Sequence, residues 1–416
     1  MRVLIAGGGI GGLALALSLH DAGITDVQVV EPALRIAPLG VGINLPPHAT
    51  RELSELGLAD ALADLGVPTS ELAYYDSSGA LLSSEPRGSA AGYRWPQYSV
   101  HRGRLQLLLL ETVRQRLGAE RVRTGHAVTG LLGNDAGGVA VGIRNRESGT
   151  ESRWDADILI GADGIRSTVR TALFPDKGPL AWNGWVMWRG VTQGEPFLSG
   201  SSMVIAGDDR QRVVAYPISP RADERGRVTI NWILSREAAE AGPDLGDWNK
   251  AVGGEVLRPL VDGWRFDWLD IPALIRDADV VYEYPMVDLE PLPQWTVGRA
   301  TLLGDAAHAM YPFGSNGASQ AILDARVLAY ELATRTDADA ALRAYEARRR
   351  PTATEVQRAN RRQSREVMQQ VSALARRQDA ASAAEILDTA EQAYRRAAGF
   401  DVDTLNNRAS LGVSRS

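Results

Sequence analysis

The chain has 416 residues, with 45 Lys and Arg against 51 Asp and Glu, a formal net charge of -6 and no cysteine. A single core stops growing at roughly 250–300 residues, so two or three domains are expected, and the hydrophobic content of 44% excludes wholesale disorder. The lack of Cys excludes disulfides, thiolate metal sites, iron–sulfur clusters and a cysteine nucleophile, and the mild acidity argues against a nucleic-acid partner.

The apolar run 2–6 reads as a strand and leaves no room for a charged leader and cleavage site. No apolar run approaches the roughly 18–20 residues of a membrane span, so a cytoplasmic protein is expected. Gly7-Gly8-Gly9-Ile10-Gly11-Gly12 then opens a helical pattern in Leu13, Leu15, Ala16, Leu17 and Leu19. Gly23 ends that helix, and 27–31 reads as the next strand. Helical texture continues over 47–65, and short alternating runs over 72–100 read as an antiparallel excursion. Helix returns at 103–117, strand pairs follow near 121–130 and 138–144, and 157–161 is a buried-strand run. Alternation dominates from 180 to 235, most clearly at 185–189, 212–216 and 228–234. A late strand at 300–304 precedes a strong helix at 317–335. Beyond 340 the chain is helical, with a tail after about 400 expected to fray.

These pieces assemble as an α/β protein. A Rossmann-like nucleotide-binding domain takes segments 1–71, 100–175 and 282–345. An inserted β-sheet domain takes 72–99 and 176–281, and a C-terminal helical segment takes 346–416. Tryptophan outnumbers phenylalanine ten to five, and Trp182, Trp185, Trp188, Trp232 and Trp248 fall between 180 and 250. Such large flat side chains suit the enclosure of a flat aromatic ligand as well as plain core packing.

Gly7, Gly9 and Gly12 fit G-x-G-x-x-G between a strand and a helix, which is where that motif holds a pyrophosphate on the helix N-terminus. Glu31 ends the second strand, where an acid accepts from ribose hydroxyls. Strand, helix and acid in register point to dinucleotide binding, without separating NAD from FAD. A second block runs from the apolar strand at 157–161 through Asp163-Gly164 into the basic helix start at Arg166 and Arg170. The third is Gly304-Asp305-Ala306-Ala307-His308, followed by Tyr311-Pro312-Phe313-Gly314-Ser315-Asn316-Gly317-Ala318. There a strand delivers an acid, and a Gly-rich turn aims a helix N-terminus back at the same place. Taken singly, Asp163 and Asp305 serve equally well as caps of the helices that follow. His308 reads as structural, and Arg348-Arg349-Arg350 with Arg361-Arg362 read as the solvated face of a helix.

In this order the three blocks resemble the single-component FAD-dependent aromatic hydroxylases, over residues 1 to about 350. Within that family the chain is most similar to the bacterial phenazine-carboxylate hydroxylases. That similarity is carried by Pro38-Leu39-Gly40-Val41-Gly42-Ile43-Asn44, Tyr98-Ser99-Val100-His101-Arg102-Gly103, Met187-Trp188-Arg189-Gly190-Val191-Thr192 and Ala215-Tyr216-Pro217-Ile218-Ser219. The resemblance implies that Gly7, Gly9, Gly12 and Glu31 hold the ADP half of a non-covalent FAD, and that Arg102 reaches its phosphate–ribityl region. It implies that Asp163 belongs to a motif serving both FAD and pyridine nucleotide, and that Asp305 accepts from the ribityl chain. Pro312 and the turn Gly314–Gly317, with Asn316 in it, then flank the isoalloxazine ring, and Gly42 leaves room on the other side. The helix at 317–335 turns its positive end toward N1 and the C2 carbonyl.

The resemblance also implies NADH or NADPH as a transient hydride donor, O2 as oxidant, and a flavin C4a-hydroperoxide that passes one oxygen to an electron-rich ring carbon. No protein residue is therefore assigned a catalytic role, and no metal is expected. A single glycine fingerprint leaves no second domain for a resident nicotinamide. The substrate is then expected between the flavin and the inserted sheet. Strand period two puts Trp185, Met187 and Arg189 on one face and Trp188 on the other. Tyr216 and Trp232 from neighbouring strands and Phe313 from the flavin loop complete the expected pocket. Arg189 is the cationic candidate for a substrate carboxylate, with a flavin or structural contact equally open. A carboxylate at the attacked carbon would leave as CO2. The other readings are a flavin-dependent dehydrogenase or halogenase, though no W-x-W-x-I-P stretch is present, and a non-catalytic FAD- or NADH-binding regulator.

Overall fold

The computed structural model describes residues 1–38, 40–135, 137–238 and 250–413, so Leu39 and Trp248 lie outside the described residues. The strands Val3–Ala6, Ile158–Gly161 and Ala300–Leu302 are buried along their whole length. They form a five-stranded parallel sheet with Val27–Glu31 and Val122–Thr124, with Val3–Ala6 in the middle. Strands this apolar need cover on both faces. The helices Ile10–Asp21, Arg102–Leu117 and Gly317–Thr334 supply it, their buried residues sharing one core with the sheet. In such sheets ligands bind beyond the carboxyl ends of the strands, and the glycine loop leaves Val3–Ala6 at that end. Gly7 has φ +114°, and a Cβ on Gly12 would lie 2.0 Å from the Gly7 carbonyl oxygen, so strand and helix meet at backbone distance.

A second, eight-stranded sheet has the order Lys250–Val252, Val281–Asp288, Ala181–Gly194, Val228–Glu237, Gln211–Pro217, Ser202–Gly207, Glu71–Tyr75 and Leu81–Pro86. One of its faces packs Ala73, Val213, Ile230 and Leu234 against Leu257, Val261, Ile271 and Leu274. On the opposite face Leu72, Tyr74 and Met203 are partly covered by Val371, Ala383 and Leu387 from the C-terminal helices. The C-terminal segment therefore roofs this sheet. Among the described residues no helix is long and apolar enough to cross a membrane, and no group of His, Asp and Glu could hold a metal ion.

Three expectations need correction. Val281–Asp288 pairs with both Ala181–Gly194 and Lys250–Val252, so the return to the nucleotide-binding part falls after Asp288 rather than at 282. The expected boundary at 346 cuts a continuous helix, Ala338–Arg362. Among the described residues the tail is not frayed: Val402–Asn407 is helical and Leu405 is fully buried. Arg51 holds it, donating from Nη1 to the Leu405 carbonyl (3.1 Å) and from Nη2 to the Arg408 carbonyl (2.8 Å), while Arg408 pairs with Glu52. Those partners lie hundreds of positions upstream, so the tail's own composition carries no sign of them.

Candidate active site

A cavity of about 410 Å³, inside the roughly 300–1,000 Å³ range of ligand sites, runs from the first glycine loop to the inserted sheet. Gly9, Ile10 and Gly11 form one end of it. The helix Ile10–Asp21 has no side-chain cap, so its first N–H groups remain open to an anion. A Cβ on Gly9 would meet no atom within 4 Å, so the space its missing side chain leaves is free. Glu31 braces this loop from behind, Oε2 accepting from the Gly8 N–H (2.8 Å) and Oε1 from the Ala33 N–H (2.9 Å). Gln106, for which the sequence offered no signal, donates from Nε2 to the Gly8 carbonyl (2.7 Å). Arg102, at the start of the same helix as Gln106, is exposed and lines the cavity.

The second and third blocks meet at this cavity, though with altered roles. The Asp163 carboxylate accepts from Ser167 Oγ and from the Val169 N–H (3.1 Å), which is the helix-capping use, and burial raises its pKa. Its neighbours Ala162 and Gly164 line the cavity instead. Arg170 ties the two blocks together, donating from Nη1 to the Ala306 carbonyl (2.9 Å) and from Nη2 to the Ile165 carbonyl. Asp305 is exposed and lines the cavity. His308 lies in the core with Nε2 2.6 Å from Asp324 Oδ2, and Asp324 also accepts from Arg349 Nε (2.7 Å). The arginine runs are thus not simply a solvated face: Arg349 is buried on Asp324, and Arg361 is bonded to Asp288 at 2.6 and 3.0 Å.

The turn that follows is clamped from behind. Gly314 has φ +65°, and a Cβ there would lie 2.3 Å from the ring of Tyr394 on the helix Ala380–Ala397. Tyr394 Oη donates to the Phe313 carbonyl (3.3 Å) and accepts from Asn316 Nδ2 (3.0 Å). Asn316 Oδ1 accepts from Gln320 Nε2 (3.0 Å) and from His48 Nε2 (2.9 Å). Burial lowers the His48 pKa to about 3, so this ring is a neutral donor, and it stacks on Phe400 at 4.4 Å. Held this way, Pro312, Phe313, Gly314, Asn316 and Gly317 line the cavity, together with the N-terminus of Gly317–Thr334.

The inserted sheet forms the other wall. Its register sets Met187 opposite Ser235, Arg189 opposite Ile233, and Arg212 opposite Ser235, and these side chains share the cavity face with Tyr216. Trp232 does not. Its cross-strand partners are Gly190 and Ala215, its Nε1 donates to Thr192 Oγ1 (3.0 Å), and it is completely buried on the opposite face. The phase of one strand against its neighbour comes from register, which alternation within a single strand does not display. Trp185 is on the expected face but lies behind the Arg212 guanidinium, 4.3 Å from its ring centroid, and backs the wall rather than lining it. Gly42 lines the cavity, and its absent side chain also admits Asn231. The Gly42 N–H donates to Asn231 Oδ1 (2.7 Å), and a Cβ would fall 2.7 Å from the Asn231 Cβ. Arg189 donates from Nη2 to the Gly42 carbonyl (2.9 Å) and is hydrogen-bonded to Tyr216, whose pKa burial pushes up to about 12.

With this geometry in place, the comparisons decide the family. The model described as "FAD binding domain" matches residues 1–246 and 290–360. The chain is 48% identical over 338 residues to phenazine 1,6-dicarboxylic acid hydroxylase of Lysobacter antibioticus, covering 80% of this chain and 83% of that one. The chain belongs to the FAD-dependent aromatic hydroxylases. To another hydroxylase, the 3-hydroxybenzoate 6-hydroxylase of Polaromonas naphthalenivorans, it is 31% identical over 338 residues, covering 80% and 79% of the two chains. Among solved structures it matches Klebsiella pneumoniae HpxO complexed with FAD and uric acid with a TM-score of 0.76 and 25% identity, covering 97% of this chain and 96% of that one. As a member of this family the protein is an FAD-dependent monooxygenase of aromatic rings. Its own structure fits the cofactor: the open space at Gly9, the uncapped N–H groups of two helices and the exposed Arg102 and Asp305 all meet in one cavity.

Proposed function

We propose that this hydroxylase acts on a carboxylated heteroaromatic ring of phenazine-like shape in the cytoplasm, with NADH or NADPH as electron donor and O2 as oxygen source. The observation that carries the reading is the continuity of the cavity, which joins the glycine loop and the Gly317 helix end to a sheet face of Met187, Tyr216, Ile233 and Met286. The 48% identity to an enzyme named for a phenazine dicarboxylic acid favours the ring class.

When bound, FAD accepts a hydride equivalent and activates O2 for transfer of one oxygen atom to a ring carbon. The chain's residues supply position and electrostatics. The Gly7, Gly9 and Gly12 loop, braced by Glu31, takes the ADP half, and Arg102 and Asp305 take the phosphate–ribityl region. The N-terminus of Gly317–Thr334 would favour negative charge on the bound flavin, and the clamped turn from Pro312 to Asn316 would hold its ring in place. Met187, Tyr216 and Phe313, under the roof of C-terminal helices, keep water away from the reacting oxygen. If the attacked ring carbon carried a carboxylate, hydroxylation there would release it as CO2.

The reading is tested by offering the FAD-loaded protein phenazine-1-carboxylate or 3-hydroxybenzoate and following NADH, product and hydrogen peroxide together. The phenazine acid is expected to stimulate NADH oxidation, with product matching the NADH consumed. Coupled turnover of the one-ring acid, with the phenazine acid inert, would overturn the substrate class.

A further inference from the structure

Arg212 is a buried cation with most of its hydrogen-bonding capacity unused. It lies on the strand Gln211–Pro217, is 3% exposed, and lines the cavity. Nη2 donates to the Ser364 carbonyl (3.2 Å), while Nε and Nη1 have no hydrogen-bond partner. The guanidinium carbon is held 4.3 Å from the Trp185 ring centroid and 5.2 Å from that of Phe313, which leaves the group little freedom to seek a partner elsewhere.

The other cations near the cavity are paired or bonded, apart from Arg102, which is exposed to solvent. Arg87 is paired with Glu391 and Glu85, and Arg395 is paired with the same two carboxylates. Arg189, the sequence's candidate for a substrate carboxylate, is bonded to the Gly42 carbonyl and to Tyr216 and keeps only Nε free. Arg212 forms no ion pair among the described residues. Burial pulls its pKa down to about 10, so it is still charged at neutral pH. Asp208 and Asp209 act on it only at a distance, and a buried cation with no ion-pair partner is unfavourable unless a ligand brings the anion.

A second unsatisfied group lies beside it. Gln363 precedes Ser364 on the π-helical turn Gln363–Val367, lines the cavity, and has its Oε1 buried without a donor. Such π turns recur at functional sites, where the wider turn redirects side chains and frees carbonyls.

We propose that Arg212 is the anion anchor of the substrate site, binding a carboxylate on the aromatic ring, and that Gln363 Oε1 accepts from a hydroxyl or N–H on the same ligand. This rests on the hydroxylase reading above and deepens it by naming the charge the site selects. Charge-assisted bonds to a carboxylate are the strong kind, and the fixed guanidinium plane adds orientation to affinity.

The test uses the FAD-loaded protein, with phenazine-1-carboxylate and its neutral isostere phenazine-1-carboxamide as probes, binding being read from the flavin absorbance. The wild type is expected to bind the carboxylate at least about tenfold more tightly than the carboxamide. Arg212→Met should weaken the carboxylate about ten- to a hundred-fold and the carboxamide less than about threefold, with Arg212→Lys regaining part of the loss. Equal losses for both probes, or no loss for either, would overturn the anchor and leave the hydroxylase reading standing. Should Arg212→Met fail to hold FAD, the wild-type ratio decides alone: a preference for the carboxamide overturns the proposal. If neither probe perturbs the wild-type flavin, the phenazine-like substrate class falls, and the anchor with it.

Discussion

Gly9→Val should give a stable protein that no longer retains FAD. Gly9 has φ -76° and a Cβ there would meet nothing within 4 Å, so the folded chain tolerates a side chain at this position. The space it enters is where the first N–H groups of Ile10–Asp21 await an anion, and Gly9 itself lines the cavity. Displacing a pyrophosphate from two such groups forfeits roughly 1.5–3 kcal/mol for each charge-assisted bond, or at least about a hundred-fold in affinity. Gly12→Ala makes the contrast, because its Cβ would sit 2.0 Å from the Gly7 carbonyl oxygen and the loop itself must distort. Melting temperature of the cofactor-free proteins and FAD content after gel filtration separate the two effects. Retention of FAD by Gly9→Val at wild-type affinity would show that the glycine loop does not hold the cofactor.

Tyr216→Ala should consume NADH yet waste it. Tyr216 is 3% exposed, lines the cavity, and is hydrogen-bonded to Arg189, so its loss opens space for water and frees Arg189 at once. A displacement of about 1 Å costs on the order of a hundred-fold in a positioned reaction, and peroxide release competes with oxygen transfer. Product per NADH is therefore expected to fall steeply while hydrogen peroxide rises to balance it. Tyr216→Phe, which keeps the volume and removes the hydroxyl, should leak less. Proportional loss of NADH oxidation and product, with FAD content unchanged, would mean that Tyr216 governs reduction of the flavin and not the oxygen-transfer step.

The parts of the molecule that were legible in the sequence are those encoded locally. The strand–turn–helix spacing around Gly7, Gly9 and Gly12 falls within a short window, and with the order of the three blocks it carries the fold and the cofactor class. Glu31, by contrast, was expected at a ribose and accepts from the Gly8 and Ala33 N–H groups. Trp232 shows where such reading stops. Its strand alternates clearly, but only the pairing Gly190 to Trp232 and Ala215 to Trp232 tells which face is wet, and that pairing joins separate segments. Asp163 was open between ligand and cap because both uses want the same residue at the same turn, and its bonds to Ser167 and Val169 depend on loop geometry. Tyr394, Gln363 and the network of Arg51, Glu52 and Arg408 reach the site or the tail from distant helices, where nothing in their neighbours marks them. Arg212 stood at the edge of a recognised strand, and only its unused donors single it out.

The most direct measurement of what this protein does is the fate of oxygen. The FAD-loaded protein, NADH and phenazine-1-carboxylate are mixed under oxygen-18 gas, and the mass of the product is read. An aromatic hydroxylase places one labelled atom in the ring for each NADH consumed. A product that is unlabelled, or NADH oxidation that yields only peroxide with every ring offered, would contradict oxygen transfer and leave a dehydrogenase or an oxidase in its place.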